Sequence, residues 1–265
     1  MFEQTIAEQS ENSSKITGYE YLAEKAKKLR QDTFNAFVEH SEAHLGGSFS
    51  IIEILIALYD KVLKEEDKFI LSKAHASFPF CLLLREKGYN PPLTTHLEIN
   101  PKNGIHCTTG SLGHGLPLAT GMALGRKIQQ KKGTIFVMMS DGECQEGTTW
   151  ESLLIASRHK LDNLVVLIDY NKIQALSFLK DGLPLDDLSA KFKAFNWDCT
   201  EINDGHSFDE LITELQQNST MKPKVFVVHT TKGKGVKAFE NDPAWHARKI
   251  KGAELEIGKK ELGIL

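Results

Sequence analysis

Apolar residues in this chain follow two spacings, and each predicts its own kind of element. Over residues 19–40, Leu22, Ala26, Leu29, Thr33, Phe37 and Val38 recur every three or four positions, the repeat of an amphipathic helix that packs one stripe on a core. Thr17 stands ahead of it as the expected N-cap. The Ile- and Leu-rich stretch 49–63 predicts a second helix and 77–87 a third; 115–130 and 148–160 follow. In the 115–130 helix the small residues Ala119, Gly121, Ala123 and Gly125 permit close approach by another helix or a partner chain. The second spacing is short and unbroken: 135–139 and 164–168 have the length and composition of parallel strands buried on both faces, and 225–229 reads as a final strand.

Chemistry enters where the first two strands end. Asp141 follows one and Asn171 the other, thirty positions apart, an interval filled by the 148–160 helix and a short loop as one crossover requires. The two oxygen-bearing side chains are therefore expected on neighbouring strand ends, the edge at which open parallel sheets bind ligands. Magnesium takes hard oxygen donors in an octahedron shared with phosphate, and Gly142 lets the backbone approach an anion closely. Asp-Gly alone is a common turn dipeptide, so it is the pairing of the strands that gives it weight. The N-terminus of the 115–130 helix also suits an anion, although the same turn reads equally as a plain cap.

At this point a family resemblance becomes specific. Ser140-Asp141-Gly142-Glu143-Cys144-Gln145-Glu146-Gly147, with Asn171-Lys172-Ile173 downstream, resembles the thiamine diphosphate motif of transketolases, and the likeness runs from about residue 20 to 250. Phe69-Ile70-Leu71-Ser72-Lys73-Ala74-His75 looks like the strand and loop that bring a histidine to the cofactor. Thr108-Thr109-Gly110-Ser111-Leu112-Gly113-His114-Gly115 looks like the glycine-rich turn beside it. Thr231-Lys232-Gly233-Lys234-Gly235 and Asp242-Pro243-Ala244-Trp245-His246 resemble the closing pair, and Ala43-His44-Leu45-Gly46-Gly47 an N-terminal active-site segment.

The resemblance implies an α/β thiamine diphosphate-binding fold, a doubly wound and mostly parallel sheet with helices on both faces. It implies thiamine diphosphate with Mg2+, for which Ca2+ or Mn2+ can substitute, and metal ligation by Asp141, Asn171 and Ile173. It implies cofactor contacts from His75, Gly110, Ser111, Leu112, Gly142, Glu143, Asn171, Lys232 and His246. The catalytic set it implies is His44, His75, His96, His246 and Glu146. His159 and His206 lie in segments without such a match. The implied reaction is transfer of a two-carbon ketol unit from a ketose, or its phosphate, to an aldose. In the family a glutamate from a pyrimidine-binding domain activates the cofactor, and nothing up to Leu265 resembles that domain. The expected partner is therefore a C-terminal transketolase subunit carrying it, and Glu146 and Glu151 match acids that meet the partner's glutamate; both also read as plain first-turn acids of a helix. The alternatives are a component of another thiamine enzyme, deoxyxylulose-phosphate-synthase-like or 2-oxo-acid-decarboxylating, and a non-catalytic thiamine diphosphate-binding chain. Ser140, Leu45 and His114 depart from the commoner family pattern.

Composition narrows the setting. Residues 1–15 are polar and expected to be a flexible segment, leaving 16–265 as one domain, for which 41% hydrophobic content is ample. A formal net charge of -3 with interspersed signs argues against nucleic-acid binding. Cys81, Cys107, Cys144 and Cys199 lack zinc or disulfide spacing, and the sequence has neither a signal-like start nor a membrane-length apolar run. A cytoplasmic protein without membrane contact is the expectation.

Overall fold

The computed structural model describes residues 18–175, 177–217 and 221–264; the 1–15 segment and Thr17 lie outside them. Five described strands form one parallel sheet in the order β1-β2-β3-β7-β6. They are β1 (Lys68–Leu71), β2 (Ile135–Ser140), β3 (Leu164–Tyr170), β6 (Asp198–Ile202) and β7 (Lys224–His229), while β4 (Ile173–Gln174) and β5 (Ser177–Phe178) make a small antiparallel hairpin. The unbroken apolar runs follow from burial on both sides: Ile135, Val137 and Met139 face one core and Phe136 and Met138 the other. Successive side chains of a strand point to opposite faces, so a central strand must be apolar throughout.

One face carries α5 (Gly115–Ile128), α6 (Gly147–Arg158) and α7 (Leu188–Ala194). The other carries α1 (Glu20–Glu39), α3 (Ile52–Ala57), α4 (Ser77–Glu86) and α8 (Phe208–Leu215), with α9 (Ala253–Leu262) laid on α1. There the close approach is made at Gly258, where a Cβ would lie 2.4 Å from the Phe34 ring. Each fully buried Leu, Ile or Phe in these layers contributes about 1.5–3 kcal/mol.

One expected element divides. The 49–63 stretch is not a single helix: α2 (Leu45–Phe49) begins earlier, α3 follows a break at Ser50 and Ile51, and Leu58–Val62 widens into a π turn. The break has a cause in the site, because Ser50 Oγ donates to the buried Asp169 carboxylate at 2.8 Å.

Candidate active site at the carboxyl edge of the sheet

Ser140 pairs in register with Asp169, so β2 and β3 release Asp141 and Asn171 side by side. Asp141 is 1% exposed; its Oδ1 accepts the Gly142 N–H at 2.7 Å and its Oδ2 the Lys172 N–H at 2.6 Å. Burial, then the neighbouring Asp169 carboxylate, pushes Asp141 up to about 7. Asn171 donates through Nδ2 to Asp169 at 2.9 Å, which orients its Oδ1 toward the Ile173 N–H at 3.1 Å. The Ile173 carbonyl accepts from Lys232 Nζ at 3.1 Å. A carboxylate, an amide oxygen and a carbonyl are the donor types magnesium takes, and the Lys232 ammonium already rests on one of them, the Ile173 carbonyl. Among the described residues no cluster of three or more His, Cys, Asp or Glu has metal-holding geometry.

Beneath it lies a hub that the sequence patterns did not single out. Asp169 is fully buried and accepts from Ser50, Lys73, Asn171 and Thr230. Burial alone would raise its pKa, but the Lys73 ammonium and these donors hold it below the usual carboxylate range. Lys73 also reaches the Gly47 carbonyl at 2.9 Å, tying α2 to the end of β1. The sequence signal was available: an acid inside an apolar strand and a lysine at a strand end are costly unless they meet.

Above this floor three histidines face one another. Ring centroids are 5.4 Å apart for His44–His75 and for His44–His246, and 5.6 Å for His75–His246. His44 caps α2 in the left-handed region at φ 70, with Nδ1 buried and lacking a hydrogen-bond partner among the described residues. His75 stands on the turn Ala74–Ala76 after β1, and His246 on the turn Pro243–His246, where its Nδ1 accepts from Lys232 Nζ at 3.0 Å. Burial, seconded by Lys232, drives His246 down to about 3; burial and then Lys73 push His75 well below its ordinary value, and burial with Lys232 lowers His44. Lys232 itself falls to about 8, through burial and then Lys73, against the pull of Asp141 and Asp169. The cluster is thus neutral imidazole beside the buried Lys73 and Lys232 side chains, suited to donating to an oxygen and handing on protons without carrying charge. His96 is exposed and presses on the turn: a Cβ at Gly110 would come within 2.4 Å of its ring.

The glycine-rich turn is held from inside. Glu143, expected among the cofactor contacts, turns its fully buried carboxylate onto Ser72 and onto the Gly113 N–H at 2.9 Å. Its side chain thereby supports the turn from within. Gly113, at φ +80, has Glu146 so close that a Cβ would lie 2.6 Å from the Glu146 Cβ, and at Gly115 a Cβ would strike Ser72 Oγ at 2.1 Å. Gly110 and Leu112 are half-buried and Ser111 and Glu146 exposed at the rim. Of the three departures, Ser140 Oγ accepts the Glu143 N–H at 3.3 Å, Leu45 is fully buried, and His114 is exposed with Nδ1 3.3 Å from Ser111 Oγ.

A parallel sheet with this motif edge is the architecture of a thiamine diphosphate-binding domain, and the comparisons with known proteins agree. The family model described as "Transketolase, thiamine diphosphate binding domain" matches residues 22–265, and the chain belongs to that family. It is 37% identical to an apulose-4-phosphate transketolase subunit of Actinobacillus succinogenes, over 92% of this chain and 96% of that protein. It is 34% identical to a 6-deoxy-6-sulfo-D-fructose transketolase subunit of a Clostridium species, over 90% and 97%. Mouse transketolase is 30% identical over 86% of this chain, which spans only 40% of that longer protein. Among solved structures, Campylobacter jejuni transketolase superposes with a TM-score of 0.79 at 25% identity, covering 90% of this chain and 42% of that one. Leishmania mexicana transketolase, at 22% identity and a TM-score of 0.81, shares the fold; it covers 90% of this chain and 40% of its own. Among the described residues no helix is long and apolar enough to cross a membrane.

Proposed function

We propose that this chain is the diphosphate- and magnesium-binding subunit of a two-chain transketolase, moving a two-carbon ketol unit from a ketose or ketose phosphate to an aldose or aldose phosphate. The observation that carries the reading is that Asp141 and Asn171 hold the 172–173 backbone at the sheet edge while Lys232 Nζ joins the Ile173 carbonyl there to the neutral His44, His75 and His246 cluster. Asp141, Asn171 and the Ile173 carbonyl hold magnesium and, through it, the diphosphate; Gly142 and the Gly110-Ser111-Leu112 turn bring backbone close to the cofactor. Thiamine diphosphate supplies, when bound, the carbon nucleophile that carries the two-carbon unit. His75 and His246 donate to the substrate oxygens that gain charge, His44 and His96 line the approach, and burial, seconded by the positive charge of Lys73 and Lys232, keeps the imidazoles neutral. Lys232 balances the diphosphate's charge.

A partner chain is supported from two directions. The relatives matched over nearly their whole length are named as subunits. On α5 and α6, Leu118, Ile128, Leu154 and Ile155 are exposed, and a Cβ at Gly121 or Gly125 would meet nothing within 4 Å, so packing within the chain does not require those glycines. Glu146 and Glu151 are exposed beside this face and couple protons to the partner's activating glutamate. The protein works in the cytoplasm on soluble sugars. The test is a coupled ketol-transfer assay with thiamine diphosphate and magnesium: inactivity of the chain alone and activity on adding a pyrimidine-domain polypeptide is expected. Robust transfer by the chain alone, with contaminating transketolase excluded by mass spectrometry, overturns the two-chain reading.

A further inference from the structure

His206 lies outside the matched motifs, in the loop between β6 and α8, yet it is nearly buried against the turn that carries Lys232. Its Nε2 accepts the Thr231 N–H at 2.9 Å. That nitrogen is therefore unprotonated, and the ring proton is on Nδ1, which donates to Glu53 Oε2 at 3.0 Å. The other Glu53 oxygen accepts from Arg30 Nη2 at 2.7 Å. Burial would raise Glu53, but Arg30 and His206 hold it below the ordinary carboxylate range. One buried carboxylate, on α3, thus anchors a cation from α1 and an imidazole from the loop after β6.

Both anchored groups touch the same turn, at opposite ends. His206 holds Thr231; Arg30 lies against Gly235, where the backbone has φ +98 and a Cβ would come within 2.5 Å of Arg30 Cδ. Between these points Gly233 donates to the Gly46 carbonyl at 3.0 Å and the Lys232 carbonyl accepts from Asn241 at 2.9 Å. The Lys232 side chain, one of the most mobile types, runs past Gly46 to the Ile173 carbonyl and His246.

We propose that His206 is a positioning residue: with Glu53 and Arg30 it locks the 231–235 turn so that the Lys232 ammonium is aimed at the diphosphate corner. The arrangement follows the general pattern in which an imidazole, oriented by a carboxylate, fixes a group it does not itself replace. Only the Nδ1–H tautomer serves, because an N–H at Nε2 would face the Thr231 N–H. This role rests on the cofactor reading above, and its test separates the two.

Two measurements on the full chain decide it. Long-range proton–nitrogen spectra should show His206 neutral with its proton on Nδ1, and the Thr231 amide should exchange slowly; a ring carrying its proton on Nε2 overturns the proposal. Calorimetry with thiamine diphosphate and magnesium should show His206→Phe binding about 10-fold or more weakly, as expected when an outer-shell partner is lost. His206→Gln, which keeps an acceptor for Thr231, should recover most of the affinity. In a Lys232→Met background His206→Phe should cost little more, since both act through one ammonium. Wild-type affinity in a folded His206→Phe chain, or a full additional loss on top of Lys232→Met, overturns the positioning role. If the wild-type chain with its partner fails to bind the cofactor, the cofactor reading falls, and the tautomer and amide exchange still decide whether His206 locks the turn.

Discussion

The ends of β2 and β3 present two buried carboxylates from adjacent strands, and the molecule treats them in opposite ways. Asp169 meets a lysine ammonium, two hydroxyls and an amide, and is held ionised. Asp141, equally buried, accepts from the backbone amides of Gly142 and Lys172 and is pushed up to about 7. The difference separates a charge whose partner is built into the fold from one that gains by meeting a cation. The first kind fixes geometry, and the second is the one the proposed function assigns to binding. Asn171 and Lys172 connect them, the Asn171 amide nitrogen donating to Asp169 and the Lys172 N–H to Asp141.

The sharpest test of this contrast is Asp141→Ala. It removes the one formal charge the motif gives the metal, so magnesium-dependent binding of thiamine diphosphate should fall below detection by calorimetry, while the denaturant midpoint changes little. Asn171→Ala, which removes a neutral ligand, should weaken binding less. Unchanged affinity in Asp141→Ala ends the site assignment.

Asp169→Ala should behave in the reverse sense. It leaves the Lys73 ammonium, 1% exposed, without its counter-charge, and such breaks cost about 3–5 kcal/mol. Denaturant unfolding should show that loss, and adding Lys73→Met should return part of it by removing the stranded charge. A single Asp169→Ala variant as stable as the wild-type chain would erase the distinction between the two carboxylates.

The histidines extend the contrast from charge to catalysis. His75→Ala and His246→Ala should keep the fold and the metal but lower ketol transfer by about 10²-fold, the scale of a lost proton donor or charge stabiliser. Turnover at the wild-type rate with the partner and saturating cofactor would make them structural.

What the sequence revealed and what it hid follow the same division. The strands at 135–139 and 164–168 were legible because a doubly covered strand must be apolar, and that legibility drew attention to Asp141 and Asn171 just beyond the strand ends. The edge strand β6 escaped: Asp198–Ile202 is mostly polar and only partly buried, and it has no unbroken apolar run. The helix α8, with Phe208, Leu211, Ile212 and Leu215 on one stripe, was legible in principle from its spacing. The division of the 49–63 stretch was not, since it depends on Ser50 reaching a carboxylate 119 positions away. Asp169 and Lys73 stood out only as charges beside apolar runs, and their pairing with each other, like that of Glu53 with His206, was hidden for the same reason: each is explained by a partner distant in sequence, and spacing reports only near neighbours. Glu143 shows the converse, a residue singled out by its motif whose side chain faces inward.

The smallest expected effect concerns protons. Asp141 is raised to about 7, so near pH 6 it is largely protonated and near pH 8 largely ionised. A metal must displace that proton, so magnesium and thiamine diphosphate should bind more tightly as pH rises through 7, by up to about 10-fold between pH 6 and 8, with proton release. Asp169, held below the usual range, contributes nothing to this window, and neither do His75 and His246, which stay neutral across it; Lys232, lowered to about 8, begins to lose its charge at the upper end and blunts the rise there. Asp141→Asn cannot titrate; it should bind weakly and lose this part of the slope. The diphosphate's own ionisation affects both proteins alike, so the difference between them isolates Asp141. Calorimetry in two buffers of different ionisation enthalpy counts the protons directly. Equal proton release from the wild-type and Asp141→Asn chains at pH 7 would show that Asp141 is already ionised before the metal arrives, and that the two carboxylates differ less than their surroundings imply.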